Sequence, residues 1–134
     1  LYGILLYGWS AVFGPSLEAA RVLAAILSSL TAPSLFLFGR RFLDGRTGLF
    51  AALLFTLSRT HLYYGHEARA YALVGLLCVW SFYAFLTLFE EPTRRHVVTA
   101  AFLSAALVYT HYVAVFALGA QLLAAFCLAD VRSR

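Results

Sequence analysis

The stretch Ser58-Arg59-Thr60-His61-Leu62-Tyr63-Tyr64-Gly65-His66-Glu67-Ala68-Arg69-Ala70-Tyr71 holds two of the chain's four histidines, two of its ten arginines, one of its six acids and three tyrosines. Charge in or near hydrocarbon is costly, so ionisable groups gathered in an otherwise apolar chain mark the first place to look for function. An ordinary polar loop between two helices is the competing reading. On a helix starting near His66, Glu67 and Tyr71 are i,i+4 neighbours, Arg69 stands at i+3 from His66, and Glu67 and Arg69 point to different sides. Arg69 suits a phosphate: its planar fork binds one bidentately, and the positive end of a helix lies close by. The bland role for Arg69 is snorkelling to lipid headgroups. Two smaller polar clusters accompany this stretch. Glu18 and Arg21 sit at i,i+3 near a helix start, close enough to pair, and Thr110-His111-Tyr112 interrupts the last apolar region.

Other chemistries fit poorly. His61, His66, Glu67 and His111 could be imagined as a metal site, but His61 and His66 are five apart, not i,i+4, and no HExxH occurs. No metal site is expected and no cofactor is assigned, a divalent metal being the minor reading. Haem between His66 and His111 is disfavoured because both lie at helix ends. There is no P-loop, GxGxxG or GxSxG, which removes nucleotide-loop and serine-hydrolase readings.

The rest of the chain must position these groups in an apolar medium. Of 134 residues, 63% are hydrophobic and 12% charged, with mean hydropathy +0.84; a soluble domain carries about 25% charged residues. All ten basic residues are Arg, placed between apolar runs and not along a stripe, so the net charge of +4 is no nucleic-acid footprint. The two cysteines, Cys78 and Cys127, lie within apolar runs and read as small core hydrophobes. The chain starts Leu1-Tyr2-Gly3, with no Met anywhere and no charged leader, and reads as an internal piece of a longer protein.

The expected fold is all-α, a polytopic transmembrane helical bundle of about five spans plus an N-terminal interfacial helix. Residues 1–15, aromatic and uncharged through Phe13, form the interfacial helix. Gly14-Pro15-Ser16 is a turn, and Ser16 is placed to cap the next helix with Glu18 at its positive end. The spans are 16–38, kinked at Pro33, then 49–64, 66–89, 97–110 and 113–129, with turns at Gly39–Gly48 and at Glu90–His96. The turns at 39–48 and 90–96 and the tail hold seven arginines, against Arg21, Arg59 and Arg69 at the other end. That bias makes the first set cytoplasmic. The 58–71 stretch, Thr110-His111-Tyr112 and the Glu18/Arg21 end then converge on the extracytoplasmic face.

The order of features resembles the membrane-embedded glycosyltransferases of the GT-C type, the family of protein O-mannosyltransferases, bacterial aminoarabinose transferases and Rgt-like glycosyltransferases. Leu1-Tyr2-Gly3-Ile4-Leu5-Leu6-Tyr7-Gly8-Trp9 resembles the segment after that family's first extracytoplasmic loop. Glu18 to Arg21 is similar to its E-x-x-x-R-like entry to the next span, although here the spacing is three. Gly39-Arg40-Arg41 followed by Gly48-Leu49 resembles its short cytoplasmic turn. The most specific element, Tyr63-Tyr64-Gly65-His66-Glu67-Ala68-Arg69-Ala70-Tyr71-Ala72-Leu73, is similar to the family's Y-[SG]-x-E-A-R-x-Y-x-L, and Thr110-His111-Tyr112 resembles a recurring element.

The resemblance implies an inverting hexosyl or pentosyl transferase of the cell envelope, integral to the inner or plasma membrane. It would move a sugar from a polyprenyl-phosphate donor to a lipid, glycan or protein acceptor on the extracytoplasmic side. It also implies a catalytic acid in a loop upstream of Leu1, so that no catalytic residue is assigned within the chain and the piece alone is expected to be inactive. Supporting roles then fall to Arg21 and Arg69 as phosphate or donor contacts, to Glu67 and Tyr71 as shapers of the cavity, and to His66 and His111 beside them. The rival readings are a polytopic membrane transporter or non-catalytic membrane subunit, whose polar cluster lines a pathway, and a packing scaffold, which would tolerate Lys at position 69.

Overall fold

A computed structural model describes residues 1–59 and 70–133, with side chains described through Cys127. The described residues are helical, as the sequence requires. In chain order the helices are α1 (Tyr2–Phe13), α2 (Leu17–Phe42), α3 (Gly45–Leu57), α4 (Tyr71–Glu90), α5 (Arg94–Thr110) and α6 (Ala114–Ser133). α2, with 26 residues, and α4, with 20, are long and apolar enough to cross a membrane. At about 1.5 Å per residue they reach roughly 39 and 30 Å, against a hydrocarbon core of about 30 Å.

The helix ends have local causes. Gly14 closes α1 with φ of 87°, a conformation that costs glycine little, and its amide bonds Ser10 O at 2.9 Å. Ser16 Oγ accepts the Ala19 amide at 3.1 Å and so caps α2 as expected. α2 then runs unbroken through Pro33 to Phe42, four residues past the expected end. Gly39, Arg40 and Arg41 are helical, so the expected ten-residue turn at 39–48 shrinks to Leu43 and Asp44. The arginines favour the negative end of α2, and Asp44 starts α3 at once. Thr93 Oγ1 accepts the His96 amide at 3.3 Å, which starts α5 at Arg94, within the expected 90–96 turn. α3 stops at Leu57, where Ser58 turns extended. The rest of the 49–64 segment lies, from residue 60 on, outside the described residues.

Asp44 is a strong cap. Its carboxylate accepts the Arg46 amide at 2.8 Å, the Thr47 amide at 2.9 Å and the Thr47 hydroxyl. The Thr47 bonds, its hydroxyl foremost, hold the carboxyl below the ordinary carboxylate range. A depressed folded-state value means that this stabilisation is fully present above the unfolded value of about 3.9 and fades as pH falls through the folded one. Asp44→Ala is therefore expected to speed amide exchange at Arg46 and Thr47 at neutral pH. In the wild type the same two amides lose protection only on acidification below about pH 3.9.

The helices alternate in direction. Trp80 Nε1 donates to Ser34 Oγ at 3.1 Å, and Arg41 is ion-paired to Glu90, so α2 and α4 run the same way with α3 returning between them. α5 returns alongside α4, and α6 alongside α5. What lies inside is mostly small: Ala20, Ala24, Ala72, Ala84, Ala100 and Ala114, with Ser28, Thr31, Ser34, Ser81 and Gly39, are buried, and Leu23, Leu73 and Leu107 are the large apolar side chains among them. What lies outside is large: Leu54 is 70% exposed, Phe102 69%, Phe116 79% and Phe126 75%. This reverses the soluble pattern. It suits an apolar surround, in which small residues let backbones approach and large ones gain nothing by burial.

The closest approach joins α2 to α3. A Cβ on Gly48 would lie 2.6 Å from Phe36 O and 2.9 Å from Arg40 N, and a Cβ on Gly39 would run into the Gly48 backbone. A second contact is polar. Gln121 Nε2 donates to Ser81 Oγ at 2.7 Å, Ser81 and Ser104 hydroxyls lie 3.2 Å apart, and Ser104 reaches Gln121 Oε1 at 3.5 Å. One residue each from α4, α5 and α6 thus closes a buried ring in which each side chain satisfies the next.

Candidate functional site

Counting along the helices shows which polar clusters share an end. Tyr71 lies nine residues before Trp80 on α4, about 14 Å along the axis, and Arg21 lies thirteen before Ser34 on α2, about 20 Å. Both are therefore at the end away from the Arg41–Glu90 pair. α5 brings His111 back to that end. The His111 ring lies 5.4 Å from that of Tyr71, tilted by 38°, and stacks on Tyr112 at 4.6 Å. The backbone nitrogen of Leu1 lies 3.1 Å from Tyr109 O, which sets the start of α1 beside the same group. Trp9 Nε1, donating to Ala19 O at 2.8 Å, ties α1 to the start of α2.

The local chemistry explains how these side chains are held. His111 caps α5 in extended conformation, and its Nδ1 accepts the Val113 amide at 3.3 Å. An accepting Nδ1 leaves the proton of a neutral imidazole on Nε2, which can then donate to a ligand oxygen. Tyr71 opens α4 and is 38% exposed. It carries an aromatic face to the mouth of the bundle and keeps contact with the ring of His111. Tyr112, 79% exposed, and Tyr109, 81% exposed, widen this aromatic rim. Sugar rings stack on such faces, and amphipathic rings suit the boundary between hydrocarbon and water.

Of the six residues expected to form the site, Tyr71 and His111 come into ring contact, and Arg21 stands exposed at the same end. Among the described residues, Glu18 and Arg21 form no ion pair with each other. His66, Glu67 and Arg69 lie outside the described residues, as do His61, Tyr63 and Tyr64. Chain continuity alone keeps Arg69 within two residues of Tyr71.

Two polar groupings went unread in the sequence. The Ser81–Ser104–Gln121 ring carried one signal, since Gln121 is the sole Gln and stands in an uncharged run. The other is a cavity of about 360 Å³ at the opposite end, lined by Trp80, Tyr83, Thr87, Arg95, His96 and Thr99 among others. Arg95 and His96 had been read as turn residues only.

A bundle with small residues inside, large apolar residues outside and a basic, aromatic rim at one end defines a helical membrane protein with a polar site at one end of its bundle. Residues 2–134 match the family described as dolichyl-phosphate-mannose-protein mannosyltransferase, and the chain belongs to that family. It is thus an integral membrane glycosyltransferase chain of the GT-C type. No curated protein and no solved structure matches it.

Proposed function

We propose that the protein transfers a sugar from a polyprenyl-phosphate donor to a hydroxyl of a lipid, glycan or protein acceptor on the extracytoplasmic face. The observation that carries this reading is the contact of Tyr71 with His111 at the end of the bundle where Arg21 also stands, in a chain of this family. The arginine bias supports the sidedness: the helix ends at Arg40, Arg41, Arg94 and Arg95 form the cytoplasmic face, and the Tyr71–His111 end faces outward.

In this reading the acceptor hydroxyl attacks the anomeric carbon, a carboxylate outside residues 1–134 takes its proton, and the bond from that carbon to the phosphate oxygen breaks. The products are the glycosylated acceptor and polyprenyl phosphate. Negative charge grows on the leaving phosphate, and Arg69 and Arg21 stabilise it there. The rings of Tyr71 and His111 orient the sugar, His111 Nε2 offering a donor. Glu67 and His66 shape the remaining wall.

The test is release of polyprenyl phosphate from a radiolabelled polyprenyl-phosphate sugar by the full-length protein in nanodiscs. Wild type is expected to release it with acceptor-dependent kinetics. Tyr71→Ala and His111→Ala should each lower kcat/KM by about 10- to 100-fold, or about 1.4–2.7 kcal/mol of transition-state stabilisation. A transporter would move a solute without cleaving the donor, and that result would sink the proposal.

A further inference from the structure

The end of the bundle away from Tyr71 and His111 carries a cavity that sugar transfer does not use. It lies between α4 and α5, holds about 360 Å³, and is lined by Trp80, Tyr83 and Thr87 on one side and Arg95, His96 and Thr99 on the other. Its lining is graded. Arg95 and His96 stand in the first turn of α5, and Thr87 is one turn from the end of α4. Trp80, Ala84 and Leu103 lie deeper, with Trp80 about 10 Å further in than Thr87 along the helix. A charged mouth above an aromatic and aliphatic floor matches a molecule with an ionic head and an apolar body.

The walls are fixed by contacts of their own. Trp80 is held by its bond to Ser34 Oγ. Tyr83 packs edge-on against Phe42, at 5.2 Å and 70°, and lies 5.4 Å from Trp80. His96 Nδ1 donates to Glu91 O at 2.6 Å, which fixes the ring and leaves Nε2 as its other polar atom. Thr99 Oγ1 donates to Arg95 O at 3.0 Å. Trp80, Tyr83, His96 and Thr99 are thus held before anything enters, and binding there orders few of these side chains.

The charge around the mouth fixes the sign of the occupant. Arg40, Arg41, Arg46, Arg94 and Arg95 stand at this end against Asp44, Glu90 and Glu91. Glu90 is taken by Arg41, and Asp44 is taken by the first turn of α3. Asp44 keeps its charge, so five arginines against three carboxylates leave this end net positive; Arg95 lines the cavity itself, and the positive end of α5 adds to it. Basic pockets between helices at a membrane surface take anionic headgroups.

We propose that this cavity seats an anionic phospholipid of the adjacent leaflet. Its phosphate meets Arg95 at the mouth, and its glycerol and first methylenes lie against Trp80, Ala84 and Leu103. The inference does not depend on sugar transfer, because the cavity lies at the far end of the bundle from Tyr71 and His111.

The experiment is lipid retention by the full-length protein, extracted from nanodiscs of mixed phosphatidylglycerol and phosphatidylcholine and read by native mass spectrometry. Wild type is expected to keep phosphatidylglycerol in preference to phosphatidylcholine. Arg95→Gln should weaken that preference about fivefold by removing one charge near the headgroup. Thr87→Phe should weaken it without altering charge, by filling the mouth. Equal retention of the two lipids by wild type, or unchanged preference in both variants, would overturn the proposal. So would complete displacement by inorganic phosphate at constant ionic strength, which would assign the site to a free anion. Donor cleavage by wild type, measured alongside, reports on the other end separately.

Discussion

Replacing Arg69 with Ala should abolish sugar transfer, by about 10²- to 10³-fold or more in kcat, while leaving membrane insertion and yield unchanged. The loss corresponds to about 2.7–4 kcal/mol, the range seen when one preorganised donor to a developing anion is removed. Arg69 stands two positions before Tyr71, which begins α4 and touches His111. Chain continuity keeps position 69 next to the start of this 20-residue helix, and the prediction rests on that proximity. A phosphate leaving group gains from both the helix end and the fork. Arg69→Lys separates charge from geometry. It keeps the positive charge and loses the bidentate fork, so it should retain part of the activity. Full activity in Arg69→Ala would remove the residue from the site. Loss of activity together with loss of insertion would assign it to headgroup anchoring, as a scaffold reading requires.

The second large effect is structural. Gly48→Leu should lower stability by about 3 kcal/mol or more, since the atoms nearest the new side chain's first carbon are all α2 backbone, which cannot rotate away. Its first carbon alone would lie 2.6 Å from Phe36 O and 2.9 Å from Arg40 N. α2 and α3 would have to part, and α3 leads directly into the 58–71 stretch. Thermal unfolding in detergent and the transfer rate are both expected to fall. Gly75→Ala is the matched control. Among the described residues, no atom beyond its own helix backbone lies within 4 Å of a Cβ added there, and alanine is the better helix former by about 1 kcal/mol, so it should be neutral or stabilising. Equal damage from both substitutions would refute the helix contact as the cause.

The fold class was legible because composition and apolar run length state it directly. So was the cap at Ser16, where side-chain type and position coincide. Gly39 and Gly48 show where reading stopped. In sequence a glycine marks either a turn or a close approach, and the two differ only in what stands opposite. Two glycines around an arginine pair read as a turn, yet both are helical and face each other across α2 and α3. The ring contact of Tyr71 and His111 was foreseen only as a shared end, because forty residues of chain separate them. Ser81, Ser104 and Gln121 were passed over for a related reason. Each is one polar residue on a different helix, and only packing makes them a group. The cavity at Arg95 and His96 escaped because those residues were assigned to a turn, where their side chains would have met only water.

The reversed interior changes what a conservative substitution is. In a water-soluble protein, trimming a buried leucine is harsh and altering a surface phenylalanine is mild. Here Ala24, fully buried, and Leu107, also fully buried, are the sensitive places, and at Ala24 the damaging direction is growth. Phe116 and Phe126, by contrast, could be exchanged for Leu or Ile with little effect, since lipid asks only that they stay apolar. A mutational tolerance map of this bundle should therefore rank positions by how much bulk they refuse, and a substitution table trained on soluble cores would order them backwards.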